Sequence, residues 1–171
     1  VIPALTWQQI FAFQYLNTEQ MAAITSKQIT SIPVEVFPYI SSWRNLNEKQ
    51  IGSFTTGQAG AITSAALRSL VSSQLAAIST AGVAAVNSVA LGALLTDQIQ
   101  GLRSDQIAAI TTAQIRYLTS SVLNALRSDQ LQAITSQDIQ QLSSAQVKSL
   151  SSQTLNSLSS VQIGVLSSTQ V

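Results

Sequence analysis

Cysteine and histidine are both absent from these 171 residues, and only 9% of them are charged, with a net charge of +1. The first absence excludes disulfides and thiolate metal sites. The second removes the usual general base and the commonest metal ligand. With so little charge there is no basic patch or acidic tail of the kind that binds nucleic acid, an anionic membrane or a cationic ligand. No Gly-rich phosphate loop, Asp-rich calcium loop or metal-spaced cluster occurs, so no cofactor and no metal is expected. No basic n-region followed by an apolar core stands in residues 1–20, so no signal peptide is visible there.

What remains is a period of eight. LSSAQVKS, LSSQTLNS and LSSVQIGV follow one another near the end, and the phase runs unbroken from Leu46 to Val171. The first position of each octad is apolar throughout, as at Leu46, Phe54, Ile62, Leu70 and Ile78 and on to Leu166, and the sixth is equally strict from Ile51 through Ile107 to Val171. Eight residues of straight helix turn through roughly 800°, two turns plus about 80°, which would swing this stripe around the helix at every repeat. A single long helix is excluded. A strand fails as well, because positions one and six differ in parity and would face opposite sides of a pleat.

The chain must therefore break and re-phase once per octad. Position six and the next position one, such as Ile107 and Ile110, are three apart and share a helical face, so the break belongs in the remaining five residues. Two cap registers fit that gap. Ser or Thr fills the third position almost everywhere, as at Ser104, Thr112 and Ser128, and a short hydroxyl there could cap a helix. Alternatively the second position caps, Gln at the fifth (Gln50, Gln58, Gln74, Gln98, Gln106, Gln114, Gln130, Gln146, Gln162, Gln170) closes a capping box, and positions one and six form a hydrophobic staple.

In either register each octad is one helix of about six residues, too short to stand alone. The expected fold is an all-α solenoid with positions one and six in its seam, and a β-solenoid is the alternative. Each fully buried Leu or Ile contributes roughly 2 kcal/mol, which offsets the ordering entropy only when several octads stack. The apolar stretch Leu75–Leu95 keeps the octad phase and carries Ser79, Thr80, Asn87 and Ser88, so it is assigned to this seam and not to a membrane span.

Two regions emerge. Residues 46–171 are the in-register solenoid, and because Val171 falls six residues into an octad the repeats are expected to continue in a longer parent. Residues 1–45 are irregular. Leu16, Ile24, Ile32 and Ile40 keep the spacing, a six-residue step to Leu46 resets it, and an octad at Leu5–Ala12 precedes them. Pro33 and Pro38 in IPVEVFPY point to a loop or irregular turn. Aromatics concentrate here: Trp7, Phe11, Phe13, Tyr15, Phe37, Tyr39, Trp43 and Phe54, with only Tyr117 beyond. They suit a cap over the open seam, or a surface on which Trp7, Tyr15, Tyr39 and Trp43 stack against sugar rings or a partner.

No catalytic constellation emerges. Lys27, Lys49 and Lys148 are scattered, and Glu19, Glu35, Glu48, Asp97, Asp105, Asp129 and Asp138 suit helix first turns, where a carboxylate meets the helix dipole.

The unit LRSDQIAA-ITTAQIRY-L resembles the LTxxQIxAL octads repeated in large secreted or surface-exposed bacterial proteins of adhesin type, closely over 46–171 and loosely over 5–40. The resemblance implies a non-enzymatic, exported, extended segment, extracellular or at the cell surface, partnered by other protein domains or surface glycans. It carries over no site residues. RSDQIAAI is also similar to the opening helix of transcription-activator-like effector repeats, but their longer unit and base-reading loop are missing, and nucleic acid is not an expected partner. Mesothelin-type superhelices share LxxxQIxxL strings in longer units.

Overall fold

In the computed structural model, which describes residues 15–40 and 43–171, each octad from Leu16 to Leu158 holds one short helix, and no strand occurs among the described residues. The α-helices are four to six residues long, as in Thr112–Ile115, Ser104–Ala108 and Ser128–Ala133. This is the all-α solenoid; the β-solenoid alternative has no support.

The re-phasing is carried by two extended residues. Leu70 (φ −72°, ψ 142°) ends one helix and Val71 (φ −82°, ψ 163°) is the N-cap of the next. Before the chain leaves the helix, the first-position N–H bonds the preceding sixth-position carbonyl, as Leu70 does to Leu67 at 3.2 Å and Ile78 to Leu75 at 3.1 Å. Both apolar positions are thus tied into the backbone pattern. No described residue takes a positive φ. Helices that end in extended rather than left-handed residues need no glycine at their C-termini, which agrees with only seven glycines and three prolines in the chain.

The second position is the N-cap. Thr119 Oγ1 accepts the N–H of Val122 at 3.3 Å, and Thr111 accepts that of Gln114. The third-position hydroxyls are first helical residues and do not cap; Ser128 instead meets Ser157 Oγ at 3.2 Å. Where position two has no short oxygen, at Val71, Leu95, Arg103 and Arg127, the fifth-position Gln still accepts the N-cap N–H, at 2.8–3.0 Å.

That Gln also joins successive turns. Gln106 is fully buried; its Oε1 accepts the Arg103 N–H at 2.8 Å, and its Nε2 donates to the carbonyls of Leu75 (3.0 Å), Ala76 (3.3 Å) and Ile78 (2.6 Å). These are carbonyls at the C-terminal end of a helix and the residue that follows it, 28 to 31 residues earlier; that of Leu75 also accepts the Ile78 N–H, and that of Ile78 has no other donor among the described residues. Gln74, Gln98, Gln114, Gln130, Gln146 and Gln170 repeat the same three offsets. Helices three octads apart pack directly, for example Thr56–Gly60 on Thr80–Ala85 and Ser72–Ala77 on Thr96–Gly101. One superhelical turn therefore takes between three and four octads. Its turns approach closely at Gly92, where a Cβ would stand 2.5 Å from the Tyr117 carbonyl oxygen.

The register break is visible in the same bonds. Gln50 reaches Met21 and Ile24, and Gln58 reaches Ile29 and Ile32, at offsets of 29 and 26. Each is two short of the usual value, and two is the deficit of the six-residue step from Ile40 to Leu46. The sequence predicts a loop or irregular turn at IPVEVFPY; Val34–Tyr39 is a 3₁₀ helix with Pro38 inside it, and Trp43–Asn45 is a further 3₁₀ turn. Val36 and Phe37 still face the core, so the octad phase outweighs the prolines. One continuous cluster of buried side chains runs from Met21 to Val147.

These bonds rank the substitutions. Gln106→Ala leaves the Arg103 N–H and the Ile78 carbonyl without a described partner, at roughly 1–3 kcal/mol per buried group, so chemical denaturation should show a loss of about 3 kcal/mol. Thr119→Ala should cost about 1 kcal/mol, and Ser128→Ala less than about 0.5 kcal/mol. If Ser128→Ala proves the costlier of the two serine/threonine changes, the second position is not the cap.

Removing the whole octad Leu126–Ala133 should leave a cooperatively melting protein, because the flanking units rejoin in phase. Removing Ser128 alone should lower the melting temperature far more, since every later apolar position leaves the seam. Thermal melting by circular dichroism distinguishes the two.

Candidate interaction surface

Between successive turns lies a polar groove. Its lower wall is an octad junction, positions seven to three, and its upper wall is the fourth and fifth positions of the turn above. The groove deepens into cavities at three places: about 380 Å³ around Ala22–Lys27 and Asn47–Gln50, about 420 Å³ around Asn124–Ser128 and Gln153–Ser157, and about 440 Å³ around Gln140–Ser144 and Ser167–Gln170. Carboxamides and hydroxyls dominate the walls. Such a lining offers hydrogen bonds, with cations beside them: Lys27 and Lys49 in the first cavity, Arg127 in the second and Arg116 in the third.

From Leu46 on, six octads lack Gln at the fifth position: Ala66, Gly82, Ala90 and Val122 offer no side-chain hydrogen bond there, and Thr154 and Asp138 bond differently. Thr154 occupies it in LSSQTLNS, and the missing amide oxygen is supplied from the turn below: Asn124 Oδ1 accepts from the Ser151 N–H at 2.8 Å and from Thr154 Oγ1 at 2.9 Å, while Asn124 Nδ2 donates to the Ser149 carbonyl. Asp138 occupies it in ITSQDIQQ; it is buried and accepts from Thr135 Oγ1 and from no other described donor. The other carboxylates named from sequence lie in first helical turns, as expected, and are spread along the chain. Lys27, Lys49 and Lys148 are exposed. Among the described residues no three carboxylates gather as a metal site would require.

The strongest charge feature is a pair of stacked Arg-Ser-Asp units. Arg103 pairs with Asp105 at 3.0 Å and Arg127 with Asp129 at 3.0 Å, and Ser104 Oγ links the two turns by donating to Asp129 Oδ2 at 2.7 Å. Each guanidinium also donates to a carbonyl of the turn below, that of Ala76 or Gln100. The repeated RSDQ string, 24 residues apart, marks this pair in the sequence, but its stacking depends on a turn length the octad does not state.

Of the four aromatic residues proposed as contacts, the structure separates three, and Trp7 lies outside the described residues. Trp43 is 2% exposed, in edge-to-face contact with Phe37 (centroids 5.2 Å) and Phe54 (5.7 Å), and these two also meet at 5.1 Å. It packs within the N-terminal part of the buried seam, and its indole N–H has no partner among the described residues. Tyr15 and Tyr39 are 81% and 69% exposed and take no part in this cluster. They are the rings available to a ligand.

Residues 107–144 match the ALTTAQ repeat family, and Ala109–Gln114 reads AITTAQ within that span. Neither a curated protein nor a solved structure matches the chain. The match is to a repeat, and it extends over less than a quarter of the length.

The stacked pair sets a measurable titration. Hydrogen bonds from Arg127 and then Ser104 lower the Asp129 carboxyl to about 2, and Arg103 lowers that of Asp105. A depressed folded-state value means the contribution is present above the ordinary carboxylate range and is lost as pH falls toward 2. Both groups are solvent-exposed, so the global effect on stability is small. Carbon-detected NMR titration should place Asp129 near 2 in the intact protein and return it toward the ordinary aspartate value in Arg127→Ala.

Proposed function

We propose that this chain is a non-enzymatic repeat segment of an exported bacterial surface protein, serving as a stiff spacer or display scaffold. The observation that supports this most is the series of buried Gln side chains, each binding one turn to the turn below with up to three hydrogen bonds. A superhelix held this way resists bending between turns, and its low charge makes that resistance insensitive to salt. The scattered lysines and carboxylates agree with a non-enzymatic role. Extracellular or surface placement rests on the resemblance to adhesin-type octads. No helix among the described residues is long and apolar enough to cross a membrane.

A second reading is favoured by one observation. The strong exposure of Tyr15 and Tyr39 suits a protein- or glycan-binding role for the aromatic N-terminal third.

Stiffness is open to a direct test by limited trypsinolysis under native conditions. Cleavage needs a segment of about ten residues to open, and here opening an octad breaks contacts with the turns on both sides. Arg68, Arg103 and Arg127 should therefore survive long exposure to trypsin at low and at high salt. Rapid cutting at these interior sites would show octads opening one by one, and the spacer role would fall.

A further inference from the structure

We propose that Asp138 holds a sodium ion against the carbonyl of Ile110, in the place where a Gln amide nitrogen joins the turns elsewhere. Asp138 is 4% exposed, and the one hydrogen bond its carboxylate accepts from a described residue comes from Thr135 Oγ1 to Oδ2. It forms no ion pair; the pairs among the described residues are Arg103 with Asp105 and Arg127 with Asp129. Arg116, at the end of the helix packed beneath, donates to Gln141 Oε1 instead. A buried carboxylate without a partner charge is costly, and in folded proteins such groups are either paired or bound to a cation.

The repeat supplies the other side of the site. From Gln74 onward each fifth-position Gln donates from Nε2 to the first-position carbonyl 28 residues earlier, at 2.6–2.9 Å. The same offset sets Asp138 over Ile110, and its helix, Ser136–Gln141, packs on Thr112–Ile115 as this requires. Asp is shorter than Gln by one carbon–carbon bond of about 1.5 Å, so its carboxylate faces the carbonyl oxygen across roughly 4 Å. Neither oxygen can donate. Calcium bonds oxygen at about 2.3–2.6 Å, and sodium, of nearly the same radius, fits between the two.

A bare carbonyl alone selects no ligand, since those of Phe54, Ile62, Leu94 and Leu126, below Gly82, Ala90, Val122 and Thr154, are equally without a described donor. Only at Asp138 is a second acceptor, and a negative one, brought against it. The single carboxylate also sets the charge of the ion. A monovalent cation leaves the junction neutral, whereas a divalent one draws on several carboxylates, and no such group gathers among the described residues.

Thermal melting of the full chain in sodium chloride and in choline chloride, at equal ionic strength, separates binding from screening. The parent should melt about 2–4 °C higher in sodium, and it should broaden the sodium NMR signal. Asp138→Asn keeps the shape without the charge and should lose both responses. Asp138→Gln restores the amide and should melt in choline at least as high as the parent does in sodium, with no response to the ion. The proposal is overturned if choline protects as well as sodium, if Asp138→Asn still responds to sodium, or if acidifying the choline solution gives the parent the same gain, which would put a proton between the two oxygens.

Discussion

A carboxamide is both a donor and an acceptor, and the whole superhelix hangs on that duality. A helix of five or six residues leaves nearly all its N–H groups unpaired at one end and its carbonyls unpaired at the other. In an open solvent-facing helix these ends are hydrated, but here both are packed between turns, where an unpaired group is costly. The buried Gln resolves both ends at once: its oxygen serves the start of its own helix, and its nitrogen serves the end of a helix a full turn below. Neither Leu nor Glu could substitute, since one offers no hydrogen bond and an ionised carboxylate can only accept.

The apolar seam and the Gln column divide the labour. Positions one and six supply the driving force, which is non-directional and would tolerate several ways of stacking. The Gln bonds fix which way. Their offsets hold at 31, 30 and 28 residues from Gln74 onward and shorten by two at Gln50 and Gln58, across the reduced step after Ile40; the column lapses where Ala66, Gly82, Ala90 and Val122 take the fifth position. At Thr154 the column is interrupted, and Asn124 supplies the oxygen half of the function from the opposite wall while the nitrogen half is left unreplaced.

Much of this was legible in the sequence. The phase of eight, the two seam positions, the helix length and the Gln half of the capping box followed from periodicity and from the residue types that suit helix starts. The cap register did not, because positions two and three both carry short hydroxyls and only backbone angles separate an N-cap from a first helical residue. The far partner of each Gln was also hidden, since the octad fixes the step along the chain and says nothing of how many steps complete a turn. At the N-terminal end, composition marked an aromatic cluster without distinguishing Trp43, enclosed by Phe37 and Phe54, from Tyr39, which faces solvent. The prolines pointed to a loop or irregular turn without saying which; a 3₁₀ turn accommodates Pro38.

The long-reaching bonds of the fifth-position Gln residues all point the same way, toward residues already passed. Gln170 finds its acceptors at Ile139 and Leu142, Gln146 at Ile115 and Leu118, and so on back to Gln50. A chain emerging N-terminus first, from a ribosome or through an export channel, therefore presents each new octad with a finished docking edge. Each of these Gln side chains finds its acceptors in sequence delivered earlier, and no contact of this kind spans more than 31 residues. The direction of a side chain thus becomes an order of assembly in time, in which the superhelix grows from one end at the pace of delivery and a partly delivered chain is already folded up to its last complete turn.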